Sequence, residues 1–244
     1  MPTYRTRRTA ESYGQAVGIL LLDARAPFIP GDVGNASTYS YPVIFKTVPG
    51  LSTAVCLAGA PEYADAMAKA AKELEAAGVR GISSDCGFML QYQKAVRNAV
   101  KIPVALSSLL QLPLIARTMD ESRPIGVITA DSTNLTDDFL ARAGVKVKNP
   151  IVIRGMQDEP EFKTAVLKER GTMDSDLITK ETVGIAKDMA RKHPNMGAIL
   201  LECSMLPPYA KAVQDATGLP TYDFVNLIDY LHRATHQCAY VGRY

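Results

Sequence analysis

The stretches GISSDCGFMLQYQKAV (81–96) and AILLECSMLPPYAKAV (198–213) decide the fold. Each opens as a short apolar run of the kind that forms a buried strand, passes through an acid, a cysteine and a small residue, and then takes up helical spacing. A thiol at the mouth of a strand, rather than in the core, sits where open parallel sheets bind ligands. Two such passages predict one architecture used twice.

Working outward, further strand-like runs fall at 16–23, 42–48, 78–84, 102–107, 124–130, 145–153, 196–202 and 219–223. Several are continuous and rich in Val and Ile, as strands covered on both faces are. Helical patterns lie between them at 61–78, 131–144, 178–194 and 207–218, with Ser, Thr or Asp at some starts and Gly at several ends. Strand–helix alternation predicts an α/β fold with parallel sheets and right-handed crossovers. The expectation is two similar Rossmann-like lobes related by a pseudo-twofold, with an active-site cleft between them. The first lobe spans 1–118 and the second 119–220, and the segment 221–244 packs back on the first.

Composition bounds the function. A chain of 244 residues, 47% hydrophobic, has ample material for a core. With 21% charged residues and a net charge of +2, nothing favours nucleic acid or an anionic membrane as partner. The basic opening YRTRR reads as a solvated terminus, no apolar run is long enough to span a bilayer, and a soluble, cytoplasmic protein is expected. The four cysteines are far apart without metal spacing, and His232 and His236, an i, i+4 pair, lack a third ligand, so no metal is expected. Cys56 and Cys238 lack the strand-end context of Cys86 and Cys203 and read as core or incidental.

A helix amino terminus favours a thiolate and a substrate carboxylate. The bland alternative for each thiol is a small buried residue at a strand end. Two in matched contexts favour a function.

The segments SSDCGF and LLECSMLPPYAKAVQDATGLPTYD resemble the aspartate/glutamate racemase superfamily, which includes hydantoin racemases, maleate isomerases and arylmalonate decarboxylases. LDARAPFIPGDVGNASTYSYPVIFKTVPG (22–50) and DCGFM are similar to the Alma-type algal dimethylsulfoniopropionate lyases, an eliminating branch of that superfamily. The resemblance implies two facing α/β lobes, one thiol from each, and proton removal beside a carboxylate without metal, pyridoxal phosphate or nicotinamide. It makes Cys86 and Cys203 the acid/base pair. Ser84, Gly87, Thr129, Ser132 and Ser204 become carboxylate ligands, with helix capping as the alternative role of the hydroxyls.

Asp85 and Glu202, directly before the thiols, depart from expectation, because a neighbouring carboxylate opposes thiolate formation. The loop 23–42 is the longest irregular stretch; Asp32, Tyr39 and Tyr41 in it either enclose a substrate side chain or onium group or shape the loop and pack it onto its own lobe. The leading reading is a cofactor-independent racemase or isomerase of a small carboxylate or amide. A carbon–heteroatom lyase is the alternative, a non-enzymatic small-molecule-binding protein the third, and homo-oligomers are compatible with each.

Overall fold

A computed structural model describes residues 3, 5–6, 12–142 and 144–243, with the backbone alone at 142; most of the basic opening lies outside them. In chain order the elements are β1 (Val17–Leu21), β2 (Val43–Thr47), α1 (Thr53–Ala58), α2 (Ala64–Ala77), β3 (Gly81–Ser84), α3 (Gln93–Ala99), α4 (Leu112–Arg117), β4 (Ile125–Thr129), α5 (Asp137–Arg142), β5 (Ile151–Gly155), α6 (Pro160–Phe162), α7 (Ser175–Lys192), β6 (Ala198–Leu201), α8 (Ala210–Thr217), β7 (Thr221–Tyr222) and α9 (Phe224–Thr235). A π-turn, Lys163–Leu167, continues α6, and a 3-10 stretch, Gly87–Tyr92, leads into α3.

Two all-parallel sheets result, in the orders β2-β1-β3 and β5-β4-β6-β7. The run 102–107 does not become a full strand. It keeps a single bridge, Val104 to Ile82, with Ile82 N donating to Pro103 O and Ala105 N to Ile82 O. Its place matches that of β7, whose Thr221 pairs with Ile199. Both sheets therefore run second, first, third, fourth in chain order, and the repeat is one of topology. Central strands β1, β3, β4 and β6 are buried along most of their length, while the edge strands β2 and β5 are half-covered.

Other runs shorten for local reasons. The strand expected over 145–153 begins only at Ile151. Asn149 turns the chain there by donating to Asp120 O and Arg123 O, and Pro150 has no N–H to give a ladder. The helix expected over 131–144 is confined to Asp137–Arg142. Asp131 instead accepts from the N–H and hydroxyl of Thr133, a local bond that competes with helix.

One hydrophobic cluster runs through both sheets, joining Leu20 and Ile82 to Ile125 and Leu200. After β7 the chain crosses to the first sheet. Asp223 caps α9 reciprocally with Asn226, and Phe224, Ile228 and Leu231 pack with Val17 and Ile19.

Candidate functional site

Register places the two cysteines equivalently. Cys86 lies four residues beyond Ile82 and Cys203 four beyond Ile199, the two residues that pair with the fourth position of each sheet. The equivalence extends to the backbone. Asp85 N donates to Leu20 O at 3.0 Å and Glu202 N to Ile128 O at 2.7 Å, the fourth residues of β1 and β4. Met89 N donates to Cys86 O and Leu206 N to Cys203 O, both at 3.0 Å. Each acid also receives the N–H just past its lobe's first strand, Leu22 for Asp85 and Ala130 for Glu202.

Both thiols line a single small cavity of about 40 Å³ between the lobes. Its wall includes Leu22, Phe28, Val166 and Leu167, together with the polar residues Asp85, Gly87, Glu202 and Ser204; it contains no Lys, Arg or His among the described residues. At about 10–15 Å³ per enclosed water, this holds only a few water molecules, so a substrate must open it. Glu169 clasps the roof: its carboxylate accepts from Arg25 N and Thr53 Oγ1, both at 3.0 Å, tying the segment after the π-turn to the first lobe. Glu169 has φ 49°, the left-handed region that a side chain disfavours. A larger groove of about 770 Å³, lined by Cys56, Gln91, Arg97 and Phe139, shares Leu57 and Phe88 with the cavity.

The electrostatics are those of a buried, acidic cavity. Burial pushes the Asp85 and Glu202 carboxyls up to about 7, against the pull of their hydrogen bonds. The two acids beside the thiols thus keep a substantial neutral fraction near pH 7 and are mainly neutral below it. Both thiols are also raised, Cys203 chiefly by burial and Cys86 chiefly by its contact with Cys56. Met205 N–H works in the other direction at Cys203, favouring its thiolate.

Several sequence expectations need correction. Cys203 does not sit at a helix start: the helical chain resumes only at Pro207, and Cys86 precedes a 3-10 stretch rather than an α-helix, so no α-helix dipole bears directly on either sulfur. Cys56 is a core residue, as one of its two readings had it, and its Sγ lies 3.9 Å from that of Cys86; two elements far apart in sequence bring them together. Cys238 is exposed.

Among the proposed carboxylate ligands, Gly87 and Ser204 line the cavity and the others do not. The Ser84 hydroxyl is committed to Leu106 O (2.5 Å) and Cys86 O (3.2 Å), and Ser132 pairs with Gln157 through both its N–H and its hydroxyl. Thr129 donates to Glu202 Oε2 at 2.7 Å and so holds the acid. Ser204 Oγ donates to Asp85 O across the lobe boundary.

The loop residues also lie off the cavity wall. Tyr39 donates to Val33 O and Tyr41 to Asp229, and Tyr41 stacks on His232 with ring centroids 3.6 Å apart. These rings pack the loop onto its own lobe and α9 because their hydroxyls find local partners there. Asp32 is buried with Oδ1 accepting from Gly34 N and Oδ2 unpartnered, and burial raises its carboxyl well above the usual range. Glu202, which the sequence marks as an acid directly before a strand-end thiol, lines the cavity.

No family model matches the chain. Solved structures similar to it include unliganded arylmalonate decarboxylase, with TM-score 0.62, 16% identity and 92% of this chain covered against 94% of the other. An allantoin racemase from Pseudomonas fluorescens gives TM-score 0.60 and 14% identity, with 89% of each chain covered. The fold is that of the two-lobed aspartate/glutamate racemase group, its two strand-end thiols opening on one cavity between the lobes. Sequence narrows this further. A dimethylsulfoniopropionate lyase of Durusdinium sp. clade D is 35% identical over 228 residues, covering 89% of this chain and 74% of that protein. Dimethylsulfoniopropionate lyase 5 of Emiliania huxleyi (strain CCMP1516) is 33% identical over 230 residues, covering 90% of this chain but 45% of the relative. The chain belongs to the dimethylsulfoniopropionate lyase family, a family of enzymes. No helix among the described residues is long and apolar enough to cross a membrane.

Proposed function

We propose that the chain is a lyase that splits 3-(dimethylsulfonio)propionate into dimethyl sulfide and acrylate. The observation that carries this reading is that Cys86 and Cys203 line one cavity in a chain 35% identical to a lyase named for that substrate. Sequence reasoning ranked racemisation ahead of elimination; that relative reverses the order.

Elimination asks for a base at the carbon next to the carboxylate. Cys203, as thiolate, takes that proton; the released electron pair forms the carbon–carbon double bond, the bond from the β-carbon to sulfur breaks, and the sulfide leaves neutral without needing a proton. Cys203 is the better base of the pair because Met205 N–H favours its thiolate, whereas Cys56 favours the neutral thiol of Cys86. Burial opposes the thiolate, and the substrate supplies most of the compensation. A sulfonium about 4 Å from the sulfur, at an effective dielectric of about 20, favours the thiolate by roughly 4 kcal/mol, or about three pKa units. The equivalent placement of Cys86 and Cys203 favours a second reading, two-base racemisation of a small carboxylate.

Dimethyl sulfide release by the purified protein separates the readings. Wild type is expected to produce it, Cys203→Ala to lose it by about 10²–10⁴-fold, and Cys86→Ala to lose much less. A wild type that releases none, but exchanges and inverts the α-carbon of another carboxylate with equal dependence on both thiols, overturns the lyase reading.

A further inference from the structure

The wall of the cavity poses a problem that Glu202 solves. A substrate carboxylate, and the more basic enediolate that forms when its neighbouring proton leaves, needs hydrogen-bond donors. Arg or Lys would usually supply them, but no cation lines the cavity among the described residues. The titratable groups that line it are Asp85, Cys86, Glu202 and Cys203.

Glu202 is fully buried and rigidly placed. Its N–H donates to Ile128 O, and its carbonyl accepts from Ser108 Oγ at 3.2 Å. Its two carboxyl oxygens differ. Oε2 accepts the Thr129 hydroxyl at 2.7 Å. Oε1 has no partner and lies against Gly87, so close that a Cβ on that residue would overlap it. Gly87 itself lines the cavity next to Cys86. In a neutral carboxyl whose Oε2 is engaged as an acceptor, the proton belongs on Oε1. That places an unused O–H donor, buried, at the wall between the two thiols.

The counterpart in the first lobe differs. Asp85 is one methylene shorter, and the position equivalent to Thr129 is Leu21, which has no hydroxyl. Asp85 too has one oxygen engaged, by the Leu22 N–H, but only Glu202 is held by a side-chain hydroxyl.

We propose that Glu202, as the neutral acid, donates its Oε1–H to the substrate carboxylate and strengthens that bond as the enediolate forms. The role rests on the lyase reading for the identity of the substrate, but the donor itself requires only a small carboxylate. Burial, which raises the Glu202 carboxyl to about 7, keeps the donor mainly protonated below neutral pH and about half protonated at it. Ionisation of Glu202 at higher pH removes the donor and sets a like charge against the substrate.

The test combines turnover on 3-(dimethylsulfonio)propionate with calorimetric binding of acrylate, each from pH 5.5 to 9, in the purified chain with folding checked by circular dichroism. Wild type should lose acrylate affinity and turnover as pH rises through the ionisation of Glu202. Glu202→Gln, which keeps an uncharged N–H donor, should stay within about tenfold of wild-type turnover and lose that descending limb, whereas Glu202→Ala should fall by about 10²–10³-fold. Thr129→Val, by removing a bond that favours the ionised form, should move the limb to higher pH. Glu202→Gln as inactive as Glu202→Ala, or with the limb unchanged, overturns the donor role. A wild type that releases no dimethyl sulfide yet binds acrylate with this pH dependence removes the lyase reading and leaves the donor standing. A wild type that binds neither acrylate nor propionate overturns the donor as well.

Discussion

Gly87→Ala tests whether the lobes are locked together through Glu202. Gly87 does not have a positive φ, so alanine meets no backbone strain there, and the cost is one of space. The new Cβ would overlap Glu202 Oε1 and Cδ and lie 2.9 Å from Glu202 O. The side chain cannot swing away without giving up Thr129, and the carbonyl is backbone held by Ser108. Overpacking costs roughly 1–3 kcal/mol and a lost hydrogen bond to a buried polar group another 1–3 kcal/mol, for a total of about 2–6 kcal/mol. At about 2–4 °C per kcal/mol for a chain of this size, the melting temperature should drop by roughly 4–24 °C. Gly184→Ala is the control: it lies within α7 with nothing within 4 Å of its would-be Cβ, and should gain about 1 kcal/mol. Urea unfolding of Gly87→Ala, Glu202→Ala and the double variant closes a cycle. The double variant should recover more than about 1 kcal/mol relative to additivity, because removing the carboxyl removes the main obstacle. Wild-type stability in Gly87→Ala, or strictly additive losses, would refute the reasoning.

Three further outcomes follow from the same geometry. The folded Asp85 and Glu202 carboxyls are raised to about 7 above ordinary unfolded values near 4, so the folded state binds more protons between those limits. Their contribution is complete below about pH 4 and is lost as pH rises through about 7. The urea midpoint should therefore be lower at pH 8.5 than at pH 5.5, and a flat or rising midpoint that Asp85→Asn leaves unchanged would count against it. Glu169→Ala releases the roof from Arg25 and Thr53 and should speed alkylation of Cys203 by iodoacetamide several-fold; an unchanged rate would show that the clasp does not limit access. Cys56→Ala removes the sulfur 3.9 Å from Cys86 and should shift alkylation of Cys86 to lower pH, and an unmoved profile would show that the contact is without influence.

The legible part of the site is local. The passage from apolar run through acid and cysteine into a turn marks Cys86 and Cys203 in the chain itself, and the register of each with its sheet follows from the strand pattern. Tyr39 and Tyr41 left two readings open because an aromatic in an irregular loop reads alike whether it faces a ligand or α9. Their hydroxyls find partners at Val33 O and at Asp229, which is 188 residues away from Tyr41. Ser84 and Ser132 left theirs open in the same way, since a hydroxyl after a strand does not reveal which acceptor it meets. Cys56 was passed over because it approaches Cys86 only when α1 folds against the 3-10 stretch that follows β3.

By itself the sequence determined the periodicities: apolar runs that require burial on both faces, helices between them, hence parallel strands, crossovers and a fold used twice. These are properties of neighbouring residues, and backbone geometry turns them into elements without reference to the rest of the chain. Tertiary structure alone decided which acid faces which glycine, how small the cavity is, and which hydroxyls remain available to it. Those depend on contacts such as Ser204 to Asp85 and Thr129 to Glu202, 119 and 73 residues apart, where burial and hydrogen-bond competition are settled by packing rather than by spacing.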